Sequence, residues 1–426
     1  MIKPSSIKLF YKKKKNLFAN TFYLFIQQGY QYLLPLISFP YLIRVLGIEK
    51  YGLLMFVQAF TLYFSIFIEY SFSYTGTKSI AVFANDKRKS SEIFSSIMCA
   101  KLLFSISSFI VFLILIFSFD FFKSDRLLYI ITFTQLFGIA MNPVWLFQGL
   151  QKMKYIAISN LFVLGSILFL MFLFVNRPSD LVLFQFIVAG ANFFGGTIGL
   201  FIAFRIIGIS LLKPKIKNIL QEIKNGFHLF NVNLWGSIFV NSLTFLLGLF
   251  CGNIILGYYK SAENLMRGIT MIFYPIRNAL FPYIAAISAK APLLGVKLIR
   301  KYSLYITLVA SIPSLITFIF PDIILHLVIG KTFIGSSLII RLFSLWMLIT
   351  VINNNFFILG IITFDLVKKL NMFFVISAIT HVVISIFVLP MYKHIGASLI
   401  LTSWDFTAML FIIYIFIKYF KSNATK

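Results

Sequence analysis

Long apolar runs separated by short basic breaks set the pattern of this chain. Reading the runs against the breaks predicts helices near 16–39, 51–74, 92–118, 127–149, 155–175, 181–207, 226–250, 257–285, 302–320, 337–360, 371–390 and 396–417. Each run is close to the ~20 residues that a helix needs to cross the ~30 Å hydrocarbon core of a bilayer. The pattern therefore predicts an all-α integral membrane protein of about 12 transmembrane helices. One run departs from it: 257–285 carries Lys260, Glu263, Arg267 and Arg277 and is interrupted by Pro275.

The placement of basic residues tests the count, because Lys and Arg accumulate on the cytoplasmic loops. Of 38 Lys and Arg, 25 lie in the N-terminus, in the loops around 75–91, 150–154, 208–225, 286–301 and 361–370, and in the C-terminus. The opposite loops hold 7: Arg44, Lys50, Lys123, Arg126, Arg177, Lys331 and Lys393. The alternation places both termini in the cytoplasm. It divides the chain into a basic cytoplasmic N-terminus (1–15), a six-helix bundle (16–207), a cytoplasmic linker (208–225) with Lys213, Lys215, Lys217 and Lys224, a second six-helix bundle (226–417) and a cytoplasmic tail (418–426). Duplicated halves with a substrate site between them near mid-membrane are a common transporter plan. A faint internal repeat fits it, since Asn20 to Leu46-Gly47 resembles Asn231 to Leu256-Gly257 in spacing. The first apolar stretch is too long for a signal h-region and has no small-residue cleavage site, so it is expected to stay as a membrane anchor.

Composition excludes a water-soluble fold: 60% of residues are apolar, 18% aromatic and only 12% charged, with mean hydropathy +0.94. A net charge of +26 in a soluble protein would point to nucleic acid. Here the alternation assigns it to topology, and no nucleic-acid partner is expected. No loop is long enough for a soluble catalytic or nucleotide-binding domain. GxxxxGK[ST], HExxH, CxxC and GxSxG motifs are absent, Cys99 and Cys251 lack metal or redox spacing, and His228, His326, His381 and His394 are scattered. No enzyme activity, cofactor or metal is expected, and energy must come from an ion gradient, a partner or the substrate's own gradient.

Ionisable side chains inside a bilayer cost roughly 2.5–3.5 kcal/mol each on insertion scales, so they turn toward protein or an aqueous cavity. The candidates are Lys101, Lys260, Arg267, Arg277 and Arg341, with Arg205 near a helix end, against Glu69, Glu263 and Asp405. The cationic surplus suits an anionic substrate. Lys260, Glu263, Asn264, Arg267, Thr270 and Tyr274 fall on one helical face, within about 120°. The first helix carries Asn16, Asn20, Gln27 and Gln31, and the seventh Asn233, Ser237, Asn241 and Thr244. Such amides and hydroxyls bind sugar hydroxyls, and they equally serve as glue between helices. Two further bland readings stand beside the functional one: Lys101 and Arg205 can snorkel to the interface, and Glu263 can form a structural ion pair with Lys260 or Arg267. The candidate substrate cavity is thus lined by Lys260, Arg267, Arg277, Arg341, Lys101, Asn233, Asn241, Gln27 and Gln31, with Glu69, Glu263 and Asp405 as candidate ion-coupling groups.

Four motifs carry a resemblance: PYLIRVLGIEKYGLLMF at 40–56, EYSFSYTGTKSIA at 69–81, NPVWLFQGLQKMK at 142–154 and GYYKSAENLMRGI at 257–269. Together they resemble the bacterial O-antigen and polysaccharide repeat-unit flippases, the Wzx-type branch of the MOP superfamily that also holds the MATE exporters, from about Asn16 to Ile412. The resemblance implies a V-shaped pair of six-helix bundles in the bacterial inner membrane that alternates between inward- and outward-open states. It implies transfer of an undecaprenyl-diphosphate-linked oligosaccharide to the periplasmic leaflet, coupled to an ion gradient, with the polysaccharide polymerase and chain-length proteins of the pathway as partners. By the same resemblance Arg44 and Lys78 join the gating set. Arg44 matches the first motif's Arg, Lys78 stands where Arg is usual, Glu69 where Asp is more common, Ser71 replaces a usual Gly, and Lys260 a small polar residue. The alternatives are a flippase for another polyprenyl-diphosphate precursor, a MATE-like exporter of small organic cations, whose cavity would want carboxylates instead, and a membrane-embedded glycosyltransferase or polymerase, which would want a large extramembrane loop.

Overall fold

The structure, a computed structural model, describes the backbone of residues 4–328 and 337–424, and side chains from Pro35 onward except at 36, 239–240, 327–328, 367–368, 371 and 421–424. Among the described residues there is no strand. The helices are α1 (Pro4–Glu69), α2 (Phe72–Val82), α3 (Lys87–Ser118), α4 (Arg126–Met141), α5 (Val144–Gly149), α6 (Met153–Phe174), α7 (Leu181–Phe201), α8 (Ile216–Met271), α9 (Tyr274–Lys290), α10 (Pro292–Ile319), α11 (Pro321–Val328), α12 (Ser337–Asn355) and α13 (Asn371–Ala424).

Among the described residues nine stretches are long and apolar enough to cross a membrane. Three of the helices involved, α1, α8 and α13, run 66, 56 and 54 residues, which at helical rise is more than twice the ~30 Å core of a bilayer. Each is broken once, at Gly47, Gly252 and Lys393, so each supplies two crossings, and the total agrees with about twelve. The first two breaks share a cause. Gly47 (φ 78, ψ 166) and Gly252 (φ 80, ψ 175) occupy a region of backbone space that is essentially closed to residues with a Cβ. These two breaks correct the register of the sequence repeat: Gly47 matches Gly252, and Gly52 matches Gly257. The apolar surface faces outward along the crossings, with Phe169, Phe186 and Phe387 all more than 60% exposed, as lipid contact requires.

The chain separates into two compact units. One comprises Val57–Ser237 with the helix N-terminal to Pro35. Its core packs Phe72, Ile80, Phe94, Ile97, Trp145, Leu146 and Ile202 from α2, α3, α5 and the short helix Ile202–Ile207 after α7, all nearly inaccessible. A second aromatic ladder runs Phe60–Phe64–Phe112–Phe133 at centroid distances of 4.6–5.7 Å. Gln185 donates to the Thr132 hydroxyl at 3.0 Å, tying α7 to α4. Asp86 caps α3 by accepting from the Lys89 N–H at 3.0 Å. Between α1 and α2, Tyr70 (φ 40) and Ser71 (φ 64) both adopt positive φ without being glycine. Ser71 holds that bend by donating from Oγ to the Gly226 carbonyl at 3.0 Å, while the Tyr70 ring stacks on Phe230 at 4.5 Å.

The other unit comprises Pro35–Phe56 with the chain from Ile238 onward. Ile284, Ile299, Leu359 and Phe416 form one of its cores, and Ile361, Leu370, Ile412 and Ile415 another. The segments that follow the two glycine breaks cross within this unit at backbone distance. A Cβ built on Gly52 would lie 1.8 Å from the Asn253 carbonyl oxygen, and one on Gly257 would lie 2.2 Å from the Ile48 carbonyl oxygen. Only hydrogen fits at either position.

Candidate functional site

The α8 segment after Gly252 carries the polar stripe predicted for it, and burial organises that stripe around one carboxylate. Glu263 is 3% exposed. Lys260 Nζ donates to its Oε2 at 2.7 Å, and Arg267 donates from Nε to Oε1 at 2.9 Å and from Nη2 to the same oxygen. At three and four residues' spacing on one helix the cations flank the acid from both sides. Two positive charges against one leave the cluster net cationic. The Arg267 guanidinium also lies over the buried Trp346 ring of α12 at 5.3 Å.

Trp346 extends the network. Its indole N–H donates to Asp405 Oδ2 at 2.7 Å, and the Thr350 hydroxyl donates to the same oxygen at 2.9 Å. Asp405, on α13, forms no ion pair among the described residues. The adjacent stripe residue Asn264 donates to the buried Tyr51 hydroxyl at 2.6 Å. Arg277, on α9, is 6% exposed and lies over the Tyr274 ring at 4.5 Å.

In the first unit Lys101 is 1% exposed and donates to Glu69 Oε1 at 2.7 Å, and Ser73 donates to Glu69 Oε2 at 3.2 Å. Lys101 does not snorkel; it is buried against its counter-ion. Arg205 is exposed at the end of the helix after α7, where snorkelling to an interface is available.

The structure thus gathers Lys260, Glu263, Arg267 and Asp405 into one network and Lys101 with Glu69 into another. Arg341 is exposed on α12, and Arg44 and Lys78 are exposed on α1 and α2. Asn233 and Asn241 are half-buried along α8. The side chains of Gln27 and Gln31 lie outside the described residues. Sequence reasoning missed Tyr51, Trp346 and Thr350. Tyr51 sits inside the first quoted motif and Trp346 is one of four tryptophans, but nothing in spacing says which polar side chain an aromatic residue will meet.

Among curated proteins the chain is 28% identical over 392 residues to a candidate O-antigen transporter of Escherichia coli strain K12, covering 92% of this chain and 94% of that one. It is 27% identical over 268 residues to a second of the same description from Shigella dysenteriae, covering 62% and 66%. Among solved structures it is similar to the inward-facing conformation of a multidrug-resistance MATE transporter of the MOP superfamily, with TM-score 0.70 and 15% identity over 92% of this chain and 96% of that one. It is also similar to the lipid II flippase MurJ in an inward closed conformation, with TM-score 0.67 and 10% identity over 93% and 87%. These likenesses establish the fold as that of MATE and MurJ proteins. Residues 17–288 match the family described as polysaccharide biosynthesis protein. That match spans more than half of the chain, and this polytopic membrane protein belongs to the polysaccharide biosynthesis protein family.

Proposed function

We propose that the chain is a flippase that carries an undecaprenyl-diphosphate-linked oligosaccharide, of O-antigen or capsule type, from the cytoplasmic to the periplasmic leaflet of the bacterial inner membrane, with both termini cytoplasmic. The observation that carries this reading is the Lys260–Glu263–Arg267 cluster on a membrane-crossing helix. A lipid-facing helix would not hold three charges. A small-cation exporter would want the opposite sign.

A diphosphate needs cations that can form charge-assisted hydrogen bonds, and Arg presents a planar fork suited to phosphate oxygens. In the empty state Glu263 occupies those donors. Arrival of a diphosphate gives Lys260 and Arg267 a second acceptor and loosens the internal pairing, with Arg277 close in sequence on α9. Because the ligand competes with Glu263, its affinity depends on the conformation around the acid, which is the differential binding that alternating access needs. Family membership and the transporter names of the relatives support the same substrate class.

Among the three acidic candidates for ion coupling, Asp405 fits best. Glu263 and Glu69 are each held by a cation, whereas the described partners of Asp405 are the neutral donors Trp346 and Thr350. A proton or a small cation can bind Asp405 without first displacing a salt bridge. Its position beside Trp346 then couples that event to the cluster through Arg267.

The test is genetic and chemical. Deleting the gene in its host should remove surface polysaccharide and accumulate a diphosphate-linked oligosaccharide in the lipid extract, as read by mass spectrometry. Unchanged lipid-linked pools and unchanged surface glycan would overturn the reading.

A further inference from the structure

The first unit carries a polar groove well away in sequence from the charged cluster. A cavity of about 330 Å3 is lined by Ser79 and Phe83 of the α2 end, Lys89, Glu92, Ile93 and Ser96 of α3, and Asn218, Gln221, Glu222 and Asn225 of α8. A second cavity of about 320 Å3 shares Glu92 and Asn218 with it and continues along Leu212–Lys215. Each is within the ~300–1,000 Å3 range of small-molecule sites. The groove is held firmly. The Ser210 and Leu212 N–H groups of the linker donate to the Ser91 and Ser95 hydroxyls at 3.0 and 2.9 Å, which docks the linker on α3.

Its chemistry differs from that of the charged cluster. The amides of Asn218, Gln221 and Asn225 follow one another at three- and four-residue spacing on one face of α8, two carboxylates stand beside them, and Phe83 and Ile93 supply apolar walls. Glu222 Oε2 is buried without a hydrogen-bond partner, an arrangement that calls for a donor from outside the chain. Amide and carboxylate groups beside an aromatic ring form the set that recognises a pyranose, whose hydroxyls both donate and accept while its C–H face packs on the ring. The groove's charges are mixed: Glu92 and Glu222 stand beside Lys89, Glu92 pairs with Arg88 at 3.6 Å, and the continuation adds Lys213 and Lys215.

We propose that this groove is a glycan-recognition site that reads the sugar hydroxyls of the oligosaccharide, a step separate from capture of the diphosphate by the charged cluster. It rests on the proposed function for the identity of the ligand and on the basic loops for its cytoplasmic placement. The groove gives the protein a means of choosing among carrier lipids that all bear the same diphosphate.

The experiment uses the full chain in lipid nanodiscs. One probe is the host's surface polysaccharide cut by mild acid to oligosaccharides of one and two repeats; the other is sugar-free undecaprenyl diphosphate. Burial pushes the Glu222 carboxyl above its usual range, so the isosteric Glu222→Gln removes a charge that burial disfavours and should fold. The exposed Gln221→Ala is a second variant that does not threaten folding. Wild type should bind the oligosaccharide, Gln221→Ala should bind it about tenfold more weakly for the loss of a hydrogen-bonding side chain, Glu222→Gln about fivefold more weakly for the exchange of a carboxylate acceptor for a neutral amide, and all should bind the sugar-free lipid equally. No oligosaccharide binding by wild type, or equal binding by all three proteins, overturns the inference. Failure of wild type to bind the sugar-free lipid instead counts against the proposed function, so the two failures are distinguishable.

Discussion

Adding a single methyl group to Gly52 should break the tightest crossing in the second unit. The new Cβ would sit 1.8 Å from the Asn253 carbonyl oxygen and 2.8 Å from the Gly257 nitrogen. Ordinary contact begins at 3.4 Å, so the two backbones must part by more than about 1 Å, and no side-chain rotation can relieve a clash with main chain. Overpacking of this kind costs typically about 1–3 kcal/mol, and the parting would spread to Gly257 and Ile48 on the same crossing. Gly165 and Gly190 provide internal controls, because a Cβ at either meets nothing within 4 Å. There Gly→Ala in a helix should be neutral or stabilising by up to about 1 kcal/mol. Gly47→Ala separates the two effects, since it meets no atom but has φ 78, and its strain should cost about 1–3 kcal/mol. Thermal unfolding of the detergent-solubilised proteins reads all four. Gly52→Ala should melt below wild type while Gly165→Ala should not. Equal melting temperatures for Gly52→Ala and wild type would refute the close crossing.

Three further outcomes follow from the charged network and the groove. Glu263→Gln should destabilise by about 2 kcal/mol, below the ~3–5 expected for a fully buried broken pair because the Lys260 and Arg267 side chains are not fully enclosed; chemical unfolding checks this, and a double-mutant cycle with Arg267→Gln should show coupling. Trp346→Phe keeps the ring but loses the indole N–H to Asp405, and should cost about 1 kcal/mol in the same unfolding assay. Glu222 has a raised carboxyl pKa in the folded protein, so the fold favours its protonated form and stability should decline as pH rises through that folded value; in Glu222→Gln that part of the decline should vanish from a plot of melting temperature against pH.

The membrane crossings were legible because lipid imposes length and apolarity on every one of them, and the basic loops supplied an independent count. The breaks were not. Gly47 and Gly252 are two of 23 glycines, and only the backbone angles distinguish a break from a helical glycine. The repeat was therefore visible in outline but set five residues out of register in its second half. The stripe from Lys260 to Arg267 was legible because a charge inside an apolar run is anomalous by itself, and helical periodicity then says which charges share a face. Its partners were not: Asn264 belongs to the same stripe yet donates to Tyr51. Lys101 illustrates a different limit. Snorkelling and burial against Glu69 were both compatible with its place in the chain, and only the packing of α1 against α3 chose between them. The groove escaped sequence reading because its residues are ordinary loop and helix-end polar groups, drawn together by the docking of the linker.

The central claim is that the α8 cations hold the diphosphate of a lipid-linked substrate, and binding of the carrier tests it most directly. Native mass spectrometry of the purified protein with undecaprenyl diphosphate and with undecaprenyl monophosphate, for wild type and for the Arg267→Gln/Arg277→Gln variant, gives the comparison. Wild type should prefer the diphosphate, and the variant should lose most of that preference while remaining folded. Equal retention of the diphosphate by a folded variant would contradict the claim.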